Sequence, residues 1–364
     1  MSDPAYNNDA VFAALAVIAF AQGLLVGPMI AWLFIRSRWR RHREREIAWF
    51  WDTRIPMLLA SLQDADARRR WVEESRRTSQ RIARDAIMEF LVGTAGSYRD
   101  RICLAYRELG LMDRDLVALR SPLRGRRIRA LRRMTLVAAP SERAAVLGIT
   151  DPTWVVHMLK TQVLARIGTA EDVQTALGQW QFTSRLHEHA LKAVLDTMPQ
   201  SEFVVLLARW EQFRASAIRR DLLAVGALRA PAVTEALLPK AAVDRDLEVR
   251  MGACQAAARL VADTSVPLLI SLEGDPSWEV RAQVAKALGR FPDPKAVPTL
   301  GVLIADQAFW VRQNAASALA RQGPAGHQFL IATAVRGHDR FARDTAAGEL
   351  GRVGLAQGHK VRSP

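Results

Sequence analysis

The chain has 364 residues, a formal net charge of +14 and two cysteines. Cys103 and Cys254 lie 151 residues apart among small and apolar residues, which is typical of buried thiols and gives no basis for a disulfide framework. The glycine motifs of P-loop and dinucleotide-binding proteins are absent from the sequence, so the enzyme classes that depend on those motifs are excluded.

The first predicted element is a transmembrane helix. Residues 10–35 contain no charged side chain. At 1.5 Å per residue, a helix of this length reaches about 39 Å and can cross a hydrocarbon core of about 30 Å. A cleaved signal peptide fits less well, because residues 1–9 carry Asp3 and Asp9 but no basic residue, and the apolar run is long. We expect a single span, with residues 1–9 as a short extracytoplasmic tail.

Six arginines follow the span directly and indicate its orientation. They are Arg36, Arg38, Arg40, Arg41, Arg43 and Arg45. The positive-inside rule places them in the cytoplasm, where they are attracted to anionic lipid at the membrane surface. Because arginine and alanine are abundant and lysine is scarce, we expect a bacterial protein of the inner (cytoplasmic) membrane.

Positive charge is concentrated near the predicted span. Residues 36–133 carry 25 Lys and Arg against 13 Asp and Glu, whereas residues 134–364 carry 26 against 22. Nucleic-acid binding through the basic segment 121–133 is an alternative explanation of this charge. Anionic lipid is favoured over nucleic acid, because the anchor already accounts for the charge. Residues 36–96 are predicted to form a basic juxtamembrane region of one or two amphipathic helices, broken near Pro56.

An arginine recurs every 31 residues in the second half of the chain. The series is Arg219, Arg250, Arg281, Arg312 and Arg343. Three aspartates share the period, each six residues before an arginine of the series, and these are Asp244, Asp275 and Asp306. A fixed period of about 20 to 50 residues is the signature of stacked repeats.

The unit that begins at Asp275 shows how one repeat is expected to be built. Asp275 is predicted as the N-cap of a first helix, with Pro276 at its first position. Small and apolar residues after Arg281 form one helical stripe, and Gly289 ends that helix. A second helix is predicted over residues 296–304.

Weaker copies of this pattern extend the array toward the N-terminus. We count eight units from about Ser121 to Val353, with a degenerate ninth over residues 97–120. The predicted fold is all-α: a right-handed α-solenoid of helical pairs over residues 97–353, preceded by one transmembrane helix. Residues 354–364 are predicted to be a flexible tail.

The repeats resemble the short HEAT-like repeats, about 30 residues long, that are also seen in phycobilin lyases. The resemblance covers about two thirds of the chain. It rests on the Asp-x5-Arg pattern and the small-residue stripe after it, which are best kept in Asp244–Arg250, Asp275–Arg281 and Asp306–Arg312. It implies that these aspartates and arginines form a ladder of hydrogen bonds between adjacent repeats, so that the arginine column is structural. Scaffolds, lyases, glycosylases and hydroxylases share such solenoids, so the resemblance leaves the function open.

Aromatic residues near the first turns of the repeat helices are the candidate contacts for a partner. They are Trp278, Trp310 and Phe341. Aromatic side chains on a surface anchor binding partners, but they also fill gaps between repeats, and gap filling is the favoured interpretation for the tryptophans at these positions, which include Trp154. The cluster His187-Glu188-His189 is a polar helix surface in our interpretation, because consecutive residues do not share a helix face. We therefore expect no metal, no cofactor and no catalytic residue.

These observations predict a membrane-anchored cytoplasmic scaffold for a protein partner and not an enzyme. By analogy, the partner belongs to an envelope or secretion complex. The alternative from another class is a HEAT-like lyase or hydroxylase that acts on a small ligand in the solenoid groove.

Overall fold

The computed structural model describes residues 8–61, 63–76, 80–94, 96–180 and 185–360. Every regular element in these ranges is helical. The chain divides into two compact units, Met1–Ala118 and Leu119–Pro364. Most of the predicted tail 1–9 lies outside the described residues, as do residues 361–364.

The described part of the first unit consists of helices joined by short connections. The helices are α1 (Asn8–Trp49), α2 (Ile55–Ser61), α3 (Ala65–Arg76), α4 (Gln80–Val92), α5 (Gly96–Glu108) and α6 (Leu111–Leu119). A π-helical turn, Phe50–Arg54, separates α1 from α2, so the break expected near Pro56 lies just before it.

Helix α1 contains both the predicted span 10–35 and the arginines that follow it. The side chains of most residues from 10 to 25 lie outside the described part of the chain. Among the residues that are described, no helix combines the length and the apolar character that crossing a membrane requires. The described side chains of the arginine run are exposed, whereas the side chain of Arg43 is not described.

The charged segment after α2 packs through its few apolar residues. Four large apolar residues of this segment are buried, and they are Trp71, Ile82, Ile87 and Leu91. The indole N–H of Trp71 donates a hydrogen bond of 2.8 Å to the carbonyl oxygen of Arg54. This bond satisfies the polar end of a buried tryptophan.

The second unit is a stack of helical pairs. Its helices are α7 (Arg124–Val137), α8 (Arg143–Leu147), α9 (Trp154–Ile167), α10 (Ala170–Gly178), α11 (Arg185–Thr197), α12 (Gln200–Ala208), α13 (Ser216–Arg229), α14 (Pro231–Ala242), α15 (Leu247–Leu260), α16 (Ser265–Ser271), α17 (Trp278–Leu288), α18 (Ala296–Leu303), α19 (Phe309–Ala320), α20 (Gly323–Arg336) and α21 (Arg340–Lys360). Short 3₁₀ turns lie at Pro140–Glu142 and Trp210–Gln212. Odd-numbered helices are the first helices of the pairs. The last predicted unit consists of α21 alone, which runs to Lys360 through part of the segment 354–364.

Small residues bring neighbouring first helices close together. Ala253, Cys254 and Ala257 of α15 are completely buried. A Cβ atom added to Gly289, after α17, would lie 2.9 Å from the Cβ of Ala318 in α19. Real Cβ atoms do not approach this closely, so the small-residue column permits a packing that larger side chains would prevent.

The structure corrects the predicted start of the first helix in each repeat. Helix α17 begins at Trp278, and its N-cap is Ser277 and not Asp275. The Oδ1 atom of Asp275 instead accepts a 2.8 Å hydrogen bond from the Ser277 backbone N–H, which closes a turn ahead of the helix. The equivalent turns are those of Asp244 and Asp306. The aspartate therefore stands outside the helix, where the preceding repeat can reach its carboxylate.

Candidate protein-interaction surface

Each repeat arginine binds the backbone of its own repeat. The Nη1 atoms of Arg250, Arg281, Arg312 and Arg343 donate to the carbonyl oxygens six residues earlier, at 2.9, 2.7, 2.8 and 2.8 Å. Arg219 makes the same bond to Phe213 at 3.0 Å. These bonds fix one edge of every guanidinium group.

The other edge of the guanidinium group reaches the next repeat. The Nε and Nη2 atoms of Arg250 donate to the two carboxylate oxygens of Asp275, at 2.7 and 3.0 Å. Matching bonds join Arg281 to Asp306 at 2.6 and 3.0 Å, whereas Arg219 makes a single bond, from Nη2 to Asp244 at 3.0 Å, and its Nε has no hydrogen-bond partner among the described residues. Charge-assisted bonds of this forked kind are stronger than neutral ones. We call this series of Asp–Arg bonds the ladder.

The ladder keeps its members ionised. Burial raises the pKa of the Asp306 carboxyl, but the hydrogen bonds from Arg281 and from the Ala308 N–H outweigh burial and hold that pKa below its usual value. The hydrogen bond to Asp306 in turn raises the pKa of Arg281. Both groups are therefore charged at neutral pH.

The ladder has an earlier step that sequence reasoning did not assign. Arg127 donates to the carboxylate of Asp151, and hydrogen bonds from Thr153 and Arg127 hold the pKa of Asp151 well below its usual value. The 31-residue column after this step contains His157 and Glu188 in place of arginine. The ladder is thus interrupted between Asp151 and Arg219.

At its C-terminal end the ladder stops at Arg312. Gly337 stands one period after Asp306, so that position offers no carboxylate to Nε and Nη2 of Arg312. A Cβ atom at Gly337 would lie 2.5 Å from the carbonyl oxygen of Thr333, which leaves no room for a side chain there. Arg312 is only 8% exposed, and its guanidinium carbon lies 5.1 Å from the ring centroid of Phe341.

Exposed apolar residues lie at the first turns of four successive first helices. We call this set the aromatic ridge, and it consists of Leu247 (36% exposed), Trp278 (42%), Phe309 (53%), Trp310 (61%) and Phe341 (61%). Leu247, Trp278 and Phe309 occupy one repeat position, and Trp310 and Phe341 occupy the next. Phe309 was missed in the sequence, although the 31-residue period places it directly after Trp278.

Trp154 occupies the same repeat position as Trp278 but is half-buried against neighbouring rings. Its ring centroid lies 4.7 Å from that of Trp180 and 4.0 Å from that of His187. Gap filling, the interpretation that the sequence favoured for these tryptophans, therefore describes Trp154. The residues of the aromatic ridge keep a large exposed surface.

A second row of arginines, also missed in the sequence, follows the same period. Arg259, Arg290 and Arg321 lie at or just after the C-terminal ends of their first helices, Arg352 lies within α21, and all four are exposed. A cleft of about 290 Å³ between α15 and α17 is lined by Arg259 and Arg290. This row adds positive charge to the C-terminal repeats.

The basic segment 121–133 lies at the start of the second unit. Arg127 is held in the ladder by Asp151. The exposed arginines of the segment 121–133 are Arg124, Arg126, Arg129 and Arg132. One arginine of the cluster that suggested nucleic-acid binding, Arg127, therefore makes a structural contact within the ladder.

A polar cleft of about 600 Å³ lies where the ladder is interrupted. Within it, Gln174 donates to the side-chain oxygen of Gln212 at 2.7 Å, and Arg209 donates to that of Gln174 at 3.4 Å. These side chains bind one another and form a polar lining.

The reactive residue types are dispersed or buried. No group of three or more His, Cys, Asp and Glu that could hold a metal ion occurs among the described residues. Cys103 and Cys254 are both buried and reduced. Burial, together with the nearby charge of Asp275, raises the pKa of the Cys254 thiol to about 12. Since the thiolate is the nucleophile, this thiol is unreactive at neutral pH.

Comparison with known proteins matches the C-terminal repeats. The sequence model of the HEAT repeat family matches residues 265–351. This part of the chain is HEAT-like. A crystal structure of an engineered protein is similar at 17% identity, covering 80% of this chain and 90% of that one, with a TM-score of 0.35. No curated protein matches the chain.

Proposed function

We propose that the chain is a membrane-anchored, non-enzymatic scaffold that binds a protein partner through the aromatic ridge. The observation that carries this proposal is the exposure of aromatic side chains in register on consecutive HEAT-like repeats. HEAT-like solenoids present extended surfaces, and tryptophan and arginine are enriched among the residues that dominate binding energy at protein interfaces.

The position of the ridge supports a binding role more than a packing role. Trp154 packs against neighbouring rings, whereas Trp278 at the equivalent repeat position keeps 42% of its surface exposed, and Trp310 and Phe341 at the next position keep 61%. Contiguous exposed apolar residues are unfavourable in a soluble domain unless a partner covers them. The ridge is therefore the surface on which we place the partner.

Anchoring at the bacterial inner membrane is the second part of the proposal. It is supported by the uncharged run 10–35 and by the arginines that follow on the same helix α1. In this arrangement the N-terminus lies outside, the repeats lie in the cytoplasm, and the arginines contact anionic lipid. The partner is then a membrane complex, by analogy one of the envelope or of secretion.

The scaffold proposal is tested by affinity capture from detergent-solubilised native membranes, followed by mass spectrometry. The ridge variant carries Trp278→Ala, Trp310→Ala and Phe341→Ala. The matched control carries three equally exposed substitutions away from the ridge, Val261→Ala, Val302→Ala and Val335→Ala. We expect a reproducible protein partner that the control retains and the ridge variant loses.

Three results would contradict the scaffold proposal. A partner retained by the ridge variant would place binding elsewhere. Recovery of nucleic acid would favour the arginines of the segment 121–133, and a bound chromophore or metal without a protein partner would favour an enzyme.

The anchor is tested by extracting membranes that contain the full chain with alkaline carbonate. We expect the chain to remain in the membrane pellet, and protease added to the cytoplasmic side to digest the repeats. Release by carbonate or by high salt would show that the association is peripheral and electrostatic.

A further inference from the structure

The arginine at the end of the ladder has an unused carboxylate-binding edge. In Arg250 and Arg281 the Nε and Nη2 atoms hold both oxygens of an aspartate. Arg312 has the same backbone contacts, to the carbonyl oxygens of Asp306 and Gln307, both at 2.8 Å. Within the described part of the chain, its Nε has no hydrogen-bond partner.

Leaving the Nε and Nη2 edge of Arg312 without a hydrogen-bond acceptor is unfavourable in free energy. A buried donor without a partner loses its hydration and gains nothing in return, and the loss is larger for a charged group. The electrostatic influence of Arg312 extends to Asp306, but both oxygens of that carboxylate accept bonds from Arg281. Gly337 cannot supply the missing group, because the backbone leaves no space for a side chain.

The surroundings of Arg312 favour an acidic partner segment. Residues 275–344, which include Phe341, contain nine Lys and Arg against six Asp and Glu, a net charge of +3. Of these acids, Asp275 and Asp306 are bound by arginines of the preceding repeats, and Asp293 and Asp339 accept from backbone N–H groups. Complementary charge steers association and fixes the register of a partner.

We propose that Arg312 binds a carboxylate supplied by the protein partner, from an Asp or Glu on a segment that also packs an apolar side chain against Phe341 and Trp310. This inference rests on the proposed scaffold function and adds the chemistry of the segment that binds. The carboxylate takes the place that an aspartate of a following repeat occupies at the earlier steps of the ladder.

The geometry explains how such a contact forms. Nε of Arg312 is enclosed, whereas Nη2 is not among the enclosed atoms. An incoming carboxylate therefore meets Nη2 first. We expect the Phe341 ring, which lies against the guanidinium group and is 61% exposed, to turn as the carboxylate reaches Nε and then to pack against the partner.

A phosphate chain fits this site less well than a peptide. Glu279 precedes Trp310 and Phe341 in the same repeat column and repels a polyanion that follows the ridge, whereas Glu248, one period earlier, is paired with Arg220. A peptide needs to place only one carboxylate at Arg312, and its apolar side chains match the aromatic ridge.

The test selects random dodecapeptides displayed on phage against the full-length chain in detergent. Enriched peptides are synthesised together with copies in which each Asp becomes Asn and each Glu becomes Gln. Affinities are measured for the unmodified chain, for Arg312→Gln and for Arg321→Gln. Arg321 is an exposed arginine at the end of the same helix and serves as the matched control.

We expect the enriched peptides to share a carboxylate beside an apolar residue. Neutralising that carboxylate should weaken binding to the unmodified chain about 10-fold or more, and binding to Arg312→Gln much less. Arg321→Gln should behave as the unmodified chain. If Arg312→Gln fails to fold, Phe341→Ala keeps the arginine, and we expect it to weaken the same peptides several-fold.

Peptides that bind without a carboxylate would overturn the inference. It would also be overturned if neutralising the carboxylate weakened binding equally to the unmodified chain and to Arg312→Gln. The absence of any enriched peptide, displacement by single-stranded DNA, or self-association of the chain through this site would overturn it as well. If peptide binding depends on the ridge residues Trp278 and Trp310 but not on a carboxylate, the scaffold proposal stands and this inference alone fails.

Discussion

Arg281 donates two hydrogen bonds to the carboxylate of Asp306 in the following repeat, through Nε at 2.6 Å and Nη2 at 3.0 Å. The same guanidinium group donates from Nη1 to the carbonyl oxygen of Asp275, at 2.7 Å. One side chain therefore joins the turn of its own repeat to the turn of the next. This contact recurs at the period of the sequence, so it fixes the relative position of successive repeats.

Substituting Arg281 with Ala should destabilise the second unit. The change leaves the carboxylate of Asp306 without its partner, and we expect a loss of about 2–4 kcal/mol in the free energy of unfolding. Urea denaturation followed by circular dichroism measures this. Arg321→Ala, at an exposed arginine, should change stability by less than about 0.5 kcal/mol. Unchanged unfolding of Arg281→Ala combined with lost partner binding would show that the arginine column is a ligand site.

Adding a methyl group at Gly289 should also weaken the stack. The new Cβ would lie 2.9 Å from the Cβ of Ala318 and 3.1 Å from its Cα, so adjacent first helices must separate. We expect Gly289→Ala to cost about 1–3 kcal/mol. At Gly274 a Cβ would meet nothing within 4 Å, so Gly274→Ala is the control. Equal melting temperatures for the two variants would show that the helices tolerate a wider spacing.

Asp151 should make stability depend on acid pH. Its pKa is lower in the folded chain than in the unfolded chain, so the unfolded state binds the proton more readily. The stabilisation is complete at neutral pH, declines below roughly pH 4 and is lost as the pH falls through the folded pKa. Asp151→Asn should lower the melting temperature at pH 7 and flatten its fall in acid. Asp263→Asn, at an exposed aspartate, should keep the original slope, and a slope unchanged in Asp151→Asn would contradict this account.

The cysteines should be protected from thiol reagents in the folded chain. With a pKa of about 12 for Cys254, only about one molecule in ten thousand carries the thiolate at pH 8. We expect slow reaction of Cys254 with Ellman's reagent in buffer and rapid reaction of both cysteines in guanidinium chloride. Rapid labelling of Cys254 in buffer would mean that α15 opens frequently.

The helical stack could be predicted because the 31-residue period reflects a physical constraint on the contacts between repeats. Arg219, Arg250 and Arg281 each bind the aspartate of the next repeat, so both residue types recur at the same interval. The small residues around Cys254 and Ala316 follow the arginine for a related reason, since they set the distance between first helices. Periodicity of this kind is visible in one sequence without any comparison.

Other features could not be predicted from the period. The position of Asp275 before its helix depends on a backbone turn, and the sequence pattern of an N-cap is nearly the same as that of such a turn. The difference between Trp154 and Trp278 depends on neighbours such as Trp180, which lies outside the repeated pattern. The glycine at position 337 is visible in the sequence, but the burial of Arg312 and its unpartnered Nε depend on packing against Phe341, which the period does not predict.

The interruption of the ladder at His157 and Glu188 has a consequence for how the second unit unfolds. In an array where each repeat contacts only its neighbours, the cooperativity of unfolding depends on the strength of the interfaces between repeats. Two interfaces lack the Asp–Arg fork, and at the second of them Arg220 pairs with Glu188 instead. We expect the two sides of this region to open as separate cooperative blocks. We expect the block that begins at Arg219 to survive partial denaturation with the aromatic ridge intact. A partner bound there would stay attached to a folded surface while the repeats nearer α7 exchange their amide hydrogens.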